Sequence, residues 1–167
     1  MRSGDAVRGA AAGLLGGLLA AGAMSLMHTV LADGDHEAGQ SKPDDATVKV
    51  AAAATNLVGY RLGEAEKAPA GSVVHYAFGA VIGAVYGAAA EIVPVVSRAF
   101  GLPFGAAVWL GAHVVTVPAF GLAESLVRQP VAKEAEEFGL HLVYGTITEL
   151  VRRLLRSPET AGRVRPT

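Results

Sequence analysis

Four ionisable residues, each set in a different apolar stretch, carry most of the chemistry this chain has to offer: His28, His75, Glu124 and His141. Three imidazoles and one carboxylate form a ligand set suited to zinc, iron or manganese, so a transition metal ion is the cofactor they would take. The same groups can titrate, because an imidazole changes charge between about pH 5 and 8. His113, Glu149 and Glu91 extend the set toward the opposite side and turn it into a ladder of protonatable groups. Each residue also has a plainer reading. A neutral histidine can hydrogen-bond a carbonyl of a neighbouring helix and serve only as interhelical glue. Glu149 has Arg152 and Arg153 at helical spacing as ion-pair partners. A haem between His75 and His141 is geometrically conceivable, but no attachment motif accompanies the pair. No phosphate loop, dinucleotide fingerprint, nucleophile elbow or HExxH motif occurs, so no soluble-enzyme chemistry is indicated.

The elements that must position these residues follow from composition. The 167 residues are 51% hydrophobic and 17% charged, against about 25% charged in soluble domains. A net charge of −1 removes nucleic acid as a partner, since phosphate binding needs a basic surplus. The absence of cysteine excludes a disulfide scaffold, a thiolate metal site and a cysteine nucleophile. Four stretches approach or exceed the roughly 20 apolar residues that cross a bilayer: residues 9–31, 73–96, 102–127 and 138–155. The first imitates a signal peptide but is longer than the usual apolar core of about 7–15 residues, and it reads as a span. The fourth is crowded by Glu149, Arg152 and Arg153.

Positive charge sets the orientation. Arg2, Arg8, Arg98, Arg152, Arg153, Arg156, Arg163 and Arg165 fall on one side if both termini are cytoplasmic, and acids outnumber bases on the other. His28, His75, Glu124 and His141 then lie within about a turn of the outer boundary. Residues 33–72 form the outer loop between spans one and two. Within it, Val48, Ala51, Ala52, Thr55 and Val58 share one helical face, which predicts an amphipathic surface helix over residues 44–60. Ser41, Pro43 and Asp44 resemble its start. Gly63, Pro69 and Gly71 predict a loop over residues 61–72.

Glycine is arranged in rows. Gly9, Gly13 and Gly17 recur every four residues in span one, and Gly79, Gly83 and Gly87 do so in span two. Small residues at that spacing let backbones approach closely in lipid, where burial of apolar surface supplies no drive. Pro118 should kink span three. The pattern His75-x-x-Phe78-Gly79 recurs as His141-x-x-Tyr144-Gly145, which hints at a duplicated pair of helices.

Several stretches resemble the YagU-like family of uncharacterised bacterial inner-membrane proteins: His75 to Gly79 with Gly83 to Gly87, Trp109 to His113 with Val117 to Leu122, and Glu137 to Gly145. The resemblance covers roughly residues 41–153 and implies a polytopic protein of the bacterial inner membrane. It brings no activity and no catalytic residue. The expectation is an all-α polytopic membrane protein: four transmembrane helices in a bundle, with one amphipathic surface helix between spans one and two. Its partners are the lipid bilayer and either further copies of itself (a homo-oligomer) or a larger membrane assembly. The function expected is non-enzymatic, with metal-ion or proton handling by the histidine–glutamate cluster as the alternative.

Overall fold

A computed structural model describes residues 3–32, 46–112 and 131–157. Among them are five α-helices and no strand: α1 (Ser3–Ala32), α2 (Ala46–Leu57), α3 (Glu64–Ile92), α4 (Leu102–Trp109) and α5 (Val131–Arg156). A 3₁₀ segment, Pro94–Gly101, joins α3 to α4, and one π turn extends α4 through residue 112.

α1 lies between α3 and α5 and runs antiparallel to both. Gly9, Gly13 and Gly17 meet Gly87, Gly83 and Gly79 in that order, while Gly16 rests on the Thr148 backbone. α4 packs antiparallel to α5, with Gly101 and Gly105 against Gly145 and the His141 backbone. The contacts are backbone to backbone. A Cβ added to Gly13 would lie 2.9 Å from the Gly87 Cα, and one added to Gly83 would lie 2.8 Å from the Gly17 Cα. Any side chain there would push the helices apart, and close approach is what lets dispersion hold helices together where apolar burial does not.

Burial is inverted relative to a water-soluble protein. The interior holds Ala12, Ala20, Ala21, Met24, Leu140 and Tyr144 together with Thr148, Glu149 and Arg152. Leu15, Leu19, Leu26, Val73, Val81 and Val85 lie on the outside, an apolar surface that a protein in water rarely carries. Among the described residues, three segments are long and apolar enough to cross a membrane: Gly4–Leu31, Glu64–Ile92 and Pro94–Ala112. The third is not one continuous helix, because Ala99 and Phe100 take φ of 50° and 52°, and Gly101 takes 79°.

Several boundaries depart from the expectation. Residues 64–72 are helix rather than loop. Glu66 reaches back to accept the Gly63 N–H at 2.8 Å and the Tyr60 hydroxyl, which fixes the start of α3 ahead of Pro69. The same carboxylate holds the Tyr60 hydroxyl above its ordinary pKa, chiefly through that hydrogen bond. At about 1.5 Å per residue, the 29 residues of α3 extend roughly 43 Å, well beyond a hydrocarbon core of about 30 Å. α2 packs against the excess, with Val48 and Thr47 on Gly71. Its inner face is Val48 and Ala51, with Ala52 and Thr55 half-buried, whereas Val58 turns outward. α3 ends at Ile92 instead of residue 96, because Pro94 cannot continue the helix. α5 begins at Val131, seven residues ahead of the expected fourth span. It is not among the segments that meet the length-and-composition criterion for a span. Ser41, Pro43, Asp44, His113, Pro118 and Glu124 lie outside the described residues.

Candidate functional site

The histidines of the expected cluster are distributed among different partners. His28, near the end of α1, places Nε2 3.1 Å from Glu137 Oε1 of α5. His75 donates from Nε2 to the Ala21 carbonyl of α1 at 3.2 Å, and its ring meets Tyr76 edge-on. His141 is buried and donates from Nδ1 to the Glu137 carbonyl one turn earlier, at 2.7 Å. Among the described residues no group of three or more histidine, aspartate or glutamate side chains is placed to hold a metal. The fourth residue of the expected set, Glu124, lies outside them. His28 and His75 each tie α1 to a neighbour, one through a carboxylate and one through a carbonyl.

The denser polar site is at the opposite end. Glu149 has no exposed surface, and burying an ionised carboxylate is costly unless it is paired. It is paired from three sides. Arg152 donates Nε to Glu149 Oε2 at 2.7 Å and a second nitrogen to Oε1 at 3.0 Å, a bidentate grip. Arg153 Nε also donates to Oε1, and the Tyr86 hydroxyl of α3 donates to Oε2 at 2.9 Å. The remaining arginine nitrogens cross to other elements. Arg152 donates to Glu91 of α3 at 3.0 Å, and Arg156 donates two nitrogens to the two oxygens of Glu91, each at 3.0 Å. Arg156 also stands 3.7 Å from Asp5 of α1. Three guanidiniums and three carboxylates thus fasten the ends of α1, α3 and α5 together.

Arg153 extends the clamp to the break before α4. It donates to the Ser97 carbonyl at 2.7 Å, and its guanidinium lies 4.6 Å above the Phe100 ring. Left-handed backbone costs an L-residue roughly 1–2 kcal/mol. Arg153 contacts that stretch through both hydrogen bond and ring. Above the clamp, Phe104 stacks on Tyr86 with centroids 4.0 Å apart and tilts against Tyr144. Tyr144 donates its hydroxyl to the Gly79 carbonyl at 2.6 Å, a carbonyl in the row of α3 glycines facing α1.

One feature of this site is not visible in sequence spacing: the pairing of Glu91 with Arg152 and Arg156 from α5. Chemically the arrangement is a fastener. Glu91 and Glu149 accept from guanidiniums, Asp5 stands beside one, and the cations are fixed groups of the protein itself.

Apolar helices with a glycine-lined interior and an internally paired charge cluster define a helical protein of membrane type. Residues 35–150 match a family described as protein of unknown function, DUF1440, and the chain belongs to that uncharacterised, YagU-like family. No curated protein and no solved structure matches it.

Proposed function

We propose that the chain is a non-enzymatic, structural component of the bacterial inner membrane, crossing it four times with both termini in the cytoplasm. The observation that carries this reading is the inverted burial: glycine, tyrosine and paired charge inside, leucine and valine outside. In this reading α5 is the fourth span although its composition alone argues against it. α1 and α4 cover its flanks, and its terminal charges are neutralised by Glu91 and Asp5 before they meet lipid. The arginine-rich ends of α1 and α5 face the cytoplasm, in keeping with the bias of positive charge to that side. The glycine rows serve the α1–α3 contact within one chain. Association with further copies or a larger assembly would therefore use the outward leucine and valine faces.

Carbonate extraction of membranes and reporter fusions after Thr167 and near Gly39 test the reading. Retention in the membrane pellet, a cytoplasmic signal at the C-terminus and an external one at residue 39 are expected. Release by carbonate, or a cytoplasmic signal at residue 39, would overturn it.

A further inference from the structure

We infer that the Arg156 end of the molecule binds the headgroups of anionic phospholipids through Arg8 and Arg98. This rests on the membrane reading above. Among the described residues five arginines gather at that end, Arg8, Arg98, Arg152, Arg153 and Arg156, against three carboxylates, Asp5, Glu91 and Glu149. The clamp uses Arg152, Arg153 and Arg156 with all three acids. Arg8 and Arg98 are exposed and form no ion pair with any described residue. Among the described residues they are uncompensated cations.

Their placement suits a headgroup layer. Arg8 precedes Gly9, which abuts Glu91 and Gly87 at the foot of α3. Arg98 sits in the 3₁₀ segment that leaves α3 two residues after Ile92. Around it Val93, Val95, Phe100 and Leu102 are exposed, a run of apolar groups interrupted by one cation. Such a segment is stable with its apolar groups in the acyl boundary and its charge among phosphates. Arg153 holds it there, through the Ser97 carbonyl and the Phe100 ring. The ligand is a phospholipid with a net negative headgroup, phosphatidylglycerol being the simplest.

Native mass spectrometry of the full chain tests this, with the protein released from micelles doped with phosphatidylglycerol or with phosphatidylcholine. Each basic residue near an anionic surface is worth about fivefold in affinity. Wild-type protein should retain phosphatidylglycerol in preference to phosphatidylcholine. The Arg8→Gln/Arg98→Gln variant should lose that preference by more than tenfold, and Arg98→Lys should keep it, because a point charge suffices at a headgroup. Millimolar inorganic phosphate should not displace the lipid. Equal retention of both lipids by wild type, unchanged preference in the double variant, or displacement by inorganic phosphate would each overturn the inference. Carbonate-resistant protein without lipid preference would sink only this inference, whereas carbonate release would sink the membrane reading.

Discussion

Glu149 is the residue on which the charge clamp depends. Its carboxylate is buried and accepts from two arginines and a tyrosine, so removing its charge leaves Arg152 with one carboxylate in place of two. Breaking a buried pair from one side costs about 3–5 kcal/mol. Glu149→Gln should therefore lower the unfolding midpoint in mild detergent sharply, whereas Arg98→Gln should leave it unchanged. Equal midpoints for Glu149→Gln and wild type would show that the clamp contributes nothing to stability. Tyr144→Phe is a finer probe. It deletes only the hydroxyl that reaches the Gly79 carbonyl, and hydrogen bonds between membrane helices average about 0.6 kcal/mol. A small but measurable drop in the same midpoint is expected. The pairing of Glu149 with Arg152 and Arg153 could be read from spacing, because residues three and four apart share a helical face. The Glu91 pairing could not. Nothing in the chain fixes which helices are neighbours until the glycine rows are set against each other.

Among the elements, the α1–α3 seam is the most extensive contact. The four-residue glycine repeat is plain in both stretches, yet which glycine meets which is a matter of register that only packing decides. A methyl group added at Gly83 would fall on the Gly13 carbonyl and within 2.8 Å of the Gly17 Cα. Gly83→Ala should destabilise by about 1–3 kcal/mol, the usual cost of overpacking, although alanine is the better helix former by nearly 1 kcal/mol in isolation. A gain in stability would mean that the seam is looser than described. The junction before α4 predicts the opposite sign. Ala99 has φ of 50°, so Ala99→Gly should leave the midpoint unchanged or raise it, where the same change inside a helix costs about 1 kcal/mol. A loss of that size at Ala99 would argue for ordinary helix through the junction. The start of α3 was hidden by its own composition. Gly63, Pro69 and Gly71 read as loop, and only the reach of Glu66 to the Gly63 N–H shows why a helix begins there.

At the scale of the molecule, α1 and α5 form the centre, α3 and α4 flank them, and α2 rides on the projecting end of α3. The expected metal cluster depended on depth and facing together. The sequence puts His28, His75 and His141 each near one end of its apolar stretch. Their polar partners were not legible there: His28, His75 and His141 go to a carboxylate, a carbonyl of the next helix and a carbonyl of the same helix. The central claim is that small and polar groups lie inside while the large aliphatic faces meet lipid, and single spin labels report on it directly. The chain has no cysteine, so Leu19→Cys, Val81→Cys and Ala20→Cys can each be labelled alone in reconstituted bilayers. Leu19 and Val81 are each 59% exposed and Ala20 is fully buried. Labels at residues 19 and 81 should collide readily with oxygen, which concentrates in lipid, and poorly with a water-soluble nickel chelate, while the label at residue 20 should be shielded from both. Ready collision of the nickel chelate with residues 19 and 81 would place those faces in water and contradict the account.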